Sequence, residues 1–180
     1  PRSTHCISSA ASDVYKRQPL GTTKIIPTIE NAMGVMCLPE ICEVGSERIS
    51  YISFGSEDFM TQTNISRSKL VIVKTHIVTV AKAFGKDVID SVFPDFYDLE
   101  ALRRECLEAK SIGISGKSAI HPDQIWVINE VFSPSSDEIK HAKKILELSK
   151  QNKDGAFQYN GQMIDTVSYT HLTLPTICSV

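Results

Sequence analysis

Two acidic residues stand where short apolar runs of the sequence end. Glu30 closes the run 24–30, and Asp58 follows the β-rich run 49–55. If the two runs are neighbouring parallel strands, both carboxylates lie at the carboxyl ends of the strands, where α/β folds bind their ligands. Carboxylate oxygens suit Mg²⁺, which takes one or two of them together with water and substrate. The pair is a candidate metal site, although acids at strand ends also serve as helix caps and salt-bridge partners.

A second candidate is the segment 113–118, which reads Gly-Ile-Ser-Gly-Lys-Ser. It fails as a phosphate-binding loop, because that pattern needs a glycine where Ser111 stands. Lys117 still lies close to the ligand end of a predicted strand, where it can meet an anion. His121 precedes Pro122 and can either donate to a substrate oxygen or cap the following helix.

The composition excludes several classes of protein. The 180 residues carry 19 Lys and Arg against 21 Asp and Glu, a formal net charge of −2. This balance argues against a polybasic nucleic-acid-binding or membrane-surface protein. No apolar stretch approaches the roughly 18 residues of a transmembrane helix, and no secretory signal pattern is found. Five cysteines without zinc spacing indicate a reduced, cytoplasmic chain, with Cys37, Cys42 and Cys106 as packing residues.

Apolar periodicity and turn residues predict strands that alternate with helices. The predicted strands lie within 24–30, 49–55, 88–94 and 111–120. The predicted helices cover 31–43, 69–84, 98–110, 122–132 and 135–150. Ser135 and Glu138 form a capping box at the start of the last helix. Residues 155–165 are expected to form a mobile, polar tail.

The alternation of strands and helices implies an α/β fold with parallel pairing through right-handed crossovers. The commonest closed parallel barrel needs eight βα units, and the sequence supplies four. The chain is therefore either a small open α/β sheet or half of a (β/α)8 barrel.

The two ends are expected to lie outside the native fold. The segments 13–18 and 167–171 can be encoded by one DNA element and its reverse complement, and the match extends into their flanks. Such an inverted element is typical of a sequencing-library adapter translated together with its insert. We therefore expect residues 1–18 and 167–180 to be adapter-derived, and residues 1–18 to be disordered. Residues 19–166 are then the native domain, with the true protein continuing beyond both ends.

Six short motifs follow one another along residues 19–166. They are Ile25–Glu30 with Gly34, Phe54–Asp58, Asp90–Phe93, Gly116–Gln124, Asn129–Pro134 and Gly161–Asp165. In this order they resemble the citrate lyase β-subunit branch of the HpcH/HpaI aldolase–citrate lyase family. Its members are Mg²⁺-dependent carbon–carbon lyases that act on acyl-CoA thioesters. Several motifs in one order are more specific than any one of them alone.

The resemblance implies a (β/α)8 barrel, usually assembled as an oligomer and often as a trimer, with this chain as strands five to eight. It implies that Glu30 and Asp58 bind Mg²⁺. It also implies that Asp165 belongs to a C-terminal segment that closes over an active site, where it is an acid/base candidate.

Basic residues complete the expected site. Arg67 and Lys74 fall where the family often has basic residues, although Lys74 stands where arginine is common. By this resemblance, together with their places in the sequence, Arg67, Lys117 and His121 are expected to bind substrate or CoA.

The implied reaction is a retro-Claisen or retro-aldol cleavage, with citryl-CoA giving oxaloacetate and acetyl-CoA. Malyl-CoA or citramalyl-CoA cleavage, a CoA-independent aldolase of hydroxy-oxo acids, and a non-catalytic subunit scaffold are alternatives. The four strands outside this chain would carry an acidic motif and an arginine that clamps the substrate. The chain alone is therefore expected to be inactive and aggregation-prone, and its full-length parent to be a homo-oligomer or part of a citrate lyase complex.

Overall fold

A computed structural model describes most of the chain, namely residues 23–44, 47–151 and 156–165. The chain divides after Phe132 into two compact units. The ends expected to be adapter-derived, 1–18 and 167–180, lie outside the described residues. Within the described part, no helix has both the length and the apolar character needed to cross a membrane.

The first unit alternates parallel strands with helices. In chain order its elements are β1 (Thr28–Ile29), α1 (Ala32–Met36), α2 (Leu38–Glu43), β2 (Tyr51–Phe54), α3 (Ser56–Thr63), α4 (Leu70–Ala83), β3 (Asp87–Asp90), α5 (Leu99–Ser111), β4 (Gly116–Lys117) and α6 (Pro122–Phe132). The four strands form one sheet in the order β1-β2-β3-β4, and every neighbouring pair is parallel. The predicted α/β fold with a parallel sheet is confirmed.

The two faces of the sheet differ in burial. Alternate residues along the strands are buried and belong to the main core with residues of α2 and α4, namely Ile29, Ile52, Phe54 and Val88. Between them stand Thr28, Ser53 and Ile89, which are half-buried or exposed. Because the strand order never reverses, right-handed crossovers keep the connecting helices on one face. The helices therefore cover the buried face of the sheet.

Pro39 and Gly85 set two helix ends. The predicted helix 31–43 is two helices that meet at Cys37. Pro39, in the first turn of α2, has no N–H to donate to the Val35 carbonyl, and its ring would clash there, so one continuous helix cannot form. Helix α4 ends before Gly85, whose φ of +67° is the left-handed conformation that glycine adopts readily at helix ends.

Helix α3 is missing from the sequence prediction. Its sequence, SEDFMTQT, is mostly polar, and only Ser56 and Phe59 are buried, so it lacks the apolar periodicity that reveals an amphipathic helix. The available signal is the pair Glu57 and Asp58, because acids favour the first turn of a helix. Asp58 therefore lies in a helical turn rather than in a loop.

The second unit contains α7 (Ser136–Gln151) and the antiparallel strands β5 (Ala156–Tyr159) and β6 (Gln162–Asp165). The predicted capping box is confirmed, because the Ser135 N–H donates to Glu138 Oε2 at 2.7 Å and the Glu138 N–H to Ser135 Oγ at 3.1 Å.

The prediction of a mobile tail over 155–165 is wrong for residues 156–165, which form this β-hairpin. Asn160 and Gly161 both have positive φ, 48° and 80°, as a two-residue type I′ turn requires. The Asn-Gly pair is a strong hairpin signal, and the sequence prediction passed over it.

Candidate functional site

A pocket of about 200 Å³ lies at the carboxyl edge of the parallel sheet. Its walls come from β1, from the junction of β2 and α3, and from the residues that follow β3 and β4. The lining residues are Thr28, Ser53, Phe54, Gly55, Ser56, Glu57, Asp58, Ser91, Val92 and Ser118. Parallel sheets bind ligands at this edge because the loops that follow all their strands converge there.

Glu30 and Asp58, the predicted metal ligands, both belong to this edge. Glu30 follows β1 directly, and Asp58 is in the first turn of α3. Both are exposed, and within the described part of the chain neither has a hydrogen-bond or ion-pair partner. The neighbouring Glu57, in contrast, forms an ion pair with Arg67. Glu30 and Asp58 are thus the free carboxylates of this edge.

Gly55 makes room for the Glu30 side chain beside the start of α3. A Cβ atom on Gly55 would lie 2.9 Å from Glu30 Cβ, 3.2 Å from Thr28 Cγ2 and 3.4 Å from Glu30 Oε2. The φ of Gly55 is −102°, so close approach rather than backbone conformation requires glycine here. The Gly55 N–H donates to the Ile29 carbonyl at 2.8 Å. The Glu30 carboxylate is therefore held against the turn that carries Asp58.

This donor set fits Mg²⁺. Among the described residues, no group of three or more His, Cys, Asp or Glu side chains converges as a closed metal site. Two free carboxylates beside a pocket are instead the kind of site that Mg²⁺ shares with water and substrate oxygens. Glu30 and Asp58 would hold such an ion.

Arg67 is engaged by two carboxylates. Its guanidinium forms an ion pair with Glu57 of α3, and its Nη1 lies 3.3 Å from Glu105 Oε2 of α5. Its side chain is 34% exposed. In this arrangement Arg67 ties the first turn of α3, which also carries Asp58, to α5.

Lys117 lies on the helix-facing side of the sheet. Its Nζ is 2.8 Å from Asp90 Oδ2 and 2.6 Å from Glu105 Oε1, and Lys74 Nζ lies 2.8 Å from Asp90 Oδ1. The Lys117 and Asp90 side chains are completely buried, and the two residues are register partners of β3 and β4. Lys117 is thus paired with two carboxylates of the protein itself, those of Asp90 and Glu105. It does not line the pocket.

Burial and charge set the protonation of these buried groups. Burial raises the pKa of the Asp90 carboxyl, but the ammonium groups of Lys117 and Lys74 outweigh this effect and hold the pKa below its ordinary value. Asp90 is therefore ionised inside the fold. Burial raises the pKa of the Cys106 thiol to about 11 and also raises that of Cys42. Both thiols are protonated at neutral pH and pack as small apolar groups.

His121 follows β4 and stacks on Phe96, with 4.9 Å between ring centroids and 17° between ring planes. Its Nδ1 accepts from the Asp123 N–H at 3.3 Å, so the imidazole caps the first turn of α6. The capping alternative of the sequence analysis is thus the contact that the structure contains. The side chain remains 39% exposed.

Gln124 and Ser91 were not predicted as residues of the site. The fully buried Gln124 accepts from the Ile120 N–H at 3.0 Å and donates to the Phe93 carbonyl at 2.9 Å, which joins the loops that follow β3 and β4. The motif Gly116–Gln124 contained a signal for this contact. A glutamine two residues after the proline that begins a helix can bond back to the backbone that precedes the helix, as Gln124 does to the Ile120 N–H. Ser91 follows β3 and lines the pocket, and nothing in the sequence distinguished it.

Asp165, the predicted acid/base residue, is the last residue of β6 in the second unit. Its side chain is half-buried, and it takes part in at least one polar or electrostatic interaction. The structure therefore places it at the end of a hairpin, and its catalytic role stays a prediction.

The fold and the site define the class of protein: it is an α/β protein with an acidic site at the carboxyl edge of a parallel sheet. Within that class, the chain belongs to the HpcH/HpaI aldolase/citrate lyase family, whose model matches residues 6–122. The family predicted from the six motifs is thus confirmed, and the relatives include proteins named citramalyl-CoA lyase and citrate lyase subunit beta.

Two curated relatives illustrate the match. The mitochondrial citramalyl-CoA lyase of Homo sapiens is 37% identical over 155 residues, which are 78% of this chain and 46% of that protein. The citrate lyase subunit beta of Leuconostoc mesenteroides subsp. cremoris is 34% identical over 170 residues, 89% of this chain and 56% of that protein. The chain spans about half the length of the curated relatives it matches.

The fold is also similar to a crystal structure of the protein CitE from Mycobacterium tuberculosis. The TM-score is 0.67 and the identity 29%, over 91% of this chain and 62% of that chain. That structure is a complex with magnesium, acetoacetate and coenzyme A.

Proposed function

We propose that this chain is part of a Mg²⁺-dependent carbon–carbon lyase that cleaves a 3-hydroxyacyl-CoA thioester. Citryl-CoA is the proposed substrate, with oxaloacetate and acetyl-CoA as products. The observation that carries the proposal is the pair of free carboxylates, Glu30 and Asp58, beside a pocket at the carboxyl edge of the sheet. The names of the relatives and the magnesium and coenzyme A bound to a similar structure support it.

Glu30 and Asp58 would hold Mg²⁺, which when bound polarises the oxygens of the oxo-acid half and stabilises developing negative charge. A base removes the proton of the substrate hydroxyl as the adjacent C–C bond breaks. The electron pair of that bond passes to the carbon next to the thioester carbonyl and gives an enolate, which then takes up a proton at that carbon. We propose Asp165 as the residue that holds or moves a proton in this sequence.

Arg67 and His121 have partly exposed side chains, and both remain proposed contacts for the substrate or for CoA. Lys117 is buried between Asp90 and Glu105, which favours a positioning role over the direct ligand contact expected from the sequence. From the helix-covered face of the sheet, Lys117 would fix the end of β4 and thereby the position of Ser118 in the pocket wall.

We further propose that the chain forms strands five to eight of a (β/α)8 barrel. A parallel order that never reverses, with helices on one face, is the arrangement of a barrel wall, whereas a doubly wound sheet reverses its order. In this proposal the missing strands complete the substrate site, so the 180-residue chain alone is inactive. We also propose that the full-length protein is cytoplasmic. It forms either a homo-oligomer, proposed as a trimer, or part of a citrate lyase complex.

The proposal is tested first by metal binding. Isothermal titration of the chain with Mg²⁺ is expected to show binding that Glu30→Gln and Asp58→Asn each weaken by at least about tenfold, because each removes half of the acidic ligand set. Glu40→Gln, which changes an exposed acid of α2, is the matched control and should bind as the unchanged chain does. Equal Mg²⁺ binding by all variants would favour a non-catalytic scaffold.

Citramalyl-CoA is the second candidate substrate, because the relative at 37% identity bears the name of that activity. The full-length protein should be assayed with citryl-CoA, citramalyl-CoA, malyl-CoA and a CoA-free hydroxy-oxo acid. Preferential cleavage of citryl-CoA is expected. Preference for another thioester would change the substrate, and cleavage of the CoA-free acid alone would replace the proposed class.

A further inference from the structure

Ser91 carries a buried hydroxyl group whose hydrogen-bonding capacity is unused. The residue is 3% exposed, and within the described part of the chain its Oγ has no hydrogen-bond partner. Buried hydroxyl groups without partners cost free energy, so native proteins rarely keep one without a role. Because Ser91 lines the pocket at the carboxyl edge of the sheet, a bound molecule can supply the missing partner.

The pocket around Ser91 is lined by neutral donors and acids. Its hydroxyl-bearing residues are Thr28, Ser53, Ser56, Ser91 and Ser118, and no lysine or arginine among the described residues lines it. The Ser56 hydroxyl is already used, because it donates to Glu57 Oε1 at 3.1 Å. An anion bound here therefore finds hydroxyl donors but needs a cation to balance Asp58 and Glu30. An oxo acid bound together with Mg²⁺ meets both requirements.

The end of β3 holds Ser91 in a fixed place. The side chain of the preceding residue, Asp90, points to the opposite face of the sheet and is bound by Lys74 and Lys117. The Asp90 carbonyl accepts from the Ser118 N–H at 3.1 Å, which joins the ends of β3 and β4. A donor on such a rigid strand end loses little freedom when it binds a ligand.

We propose that Ser91 is a substrate-binding residue whose Oγ–H donates to a carboxylate or carbonyl oxygen of the oxo-acid half of the substrate. This inference rests on the proposed function, because the oxo acid needs the cation held by Glu30 and Asp58. It adds a specific donor to a site otherwise defined by its metal ligands.

Acetoacetate, in the presence of saturating Mg²⁺, is the probe for this contact. Binding to the full-length protein is measured by ligand-observed NMR for the unchanged protein, Ser91→Ala and Ser91→Cys. We expect both variants to bind acetoacetate roughly 2- to 12-fold more weakly, the ordinary effect of one lost hydrogen bond, with unchanged Mg²⁺ affinity. The melting temperature of Ser91→Ala should not fall, because the hydroxyl it removes has no partner in the fold.

Ser115→Ala is the matched control. The Ser115 hydroxyl donates to Asp87 Oδ1 at 3.0 Å and does not line the pocket. Its loss should lower the melting temperature slightly and leave acetoacetate binding unchanged. This pattern, opposite to that of Ser91→Ala, separates a ligand contact from a structural hydrogen bond.

The outcomes distinguish the inference from the function on which it rests. A full-length protein that binds no Mg²⁺ overturns both. A full-length protein that binds Mg²⁺ but no acetoacetate, or whose Ser91→Ala variant binds acetoacetate normally, overturns only the assignment of Ser91. A drop in the melting temperature of Ser91→Ala as large as that of Ser115→Ala also overturns it, because the hydroxyl would then have a partner within the fold.

Discussion

Gly55→Ala tests how the Glu30 carboxylate is held. The added Cβ would lie 2.9 Å from Glu30 Cβ and 3.2 Å from Thr28 Cγ2. Carbon atoms in ordinary contact are about 3.5–4.0 Å apart, so Glu30 and Gly55 must separate by roughly 0.6–1.1 Å. Because the clash involves Cβ of Glu30 rather than the end of its side chain, rotation about the outer bonds cannot relieve it. The whole carboxylate must move.

This displacement is large for a metal ligand. Metal–ligand distances are held within about 0.2 Å in working sites, and disturbing the residues that orient a ligand typically costs about 10- to 100-fold in metal affinity. We expect the Mg²⁺ affinity of Gly55→Ala to fall by that factor, which corresponds to roughly 1.4–2.7 kcal/mol. The φ of Gly55, −102°, is open to alanine, so the loss of stability is limited to about 1–3 kcal/mol of overpacking.

The assay is calorimetric titration with Mg²⁺, paired with thermal unfolding of the same samples. Gly116→Ala is the matched control, because Gly116 lies in β4 and no atom is within 4 Å of the Cβ it would gain. It should leave both measurements unchanged. Mg²⁺ binding by Gly55→Ala within twofold of the unchanged chain would refute the reasoning, and so would an equal loss of Mg²⁺ binding in Gly116→Ala.

Two further predictions concern the buried cluster around Asp90. Asp90→Asn leaves Lys74 and Lys117 without their shared carboxylate and should cost about 3–5 kcal/mol in urea unfolding, whereas a loss below about 1 kcal/mol would contradict a buried pair. Because the pKa of Asp90 lies below 3.8 in the fold, its stabilisation should be complete above that pH and disappear as the pH falls through the lowered pKa. Unfolding measured against pH should therefore have a shallower acid limb in Asp90→Asn.

Local sequence signals predicted the parts of the fold whose residues alternate apolar and polar. The periodicity of 69–84 and the stop at Gly85 give α4 (Leu70–Ala83) to within a residue, because a half-buried helix shows its apolar face in the sequence. The polar helix α3 shows no such face and was missed. The predicted strand 111–120 shortens to Gly116–Lys117, because strand length depends on pairing with β3 and not on propensity alone.

The candidate site was only partly predictable for a related reason. The position of Glu30 and Asp58 at the carboxyl edge follows from the order of strands and helices, which the sequence reveals. Their lack of partners does not follow, because Glu57, equally acidic and adjacent to Asp58, is bound by Arg67. Which carboxylate stays free depends on a side chain ten residues away in sequence, and only the folded arrangement decides it.

The two faces of the strand ends explain why Lys117, a charged residue near the end of β4, does not line the pocket. Successive side chains of a strand point to opposite faces, so Asp90 and Lys117 face the helices while Ser91 and Ser118 line the pocket. Because Asp90 and Lys117 are charged residues on the buried face, the polar residues in the sequence do not mark the ligand side of these strand ends. Asp90 and Lys117 therefore fix the ends of β3 and β4 from the helix-covered face of the sheet. The hydroxyl groups of Ser91 and Ser118, one residue further along, line the pocket and can bind a ligand.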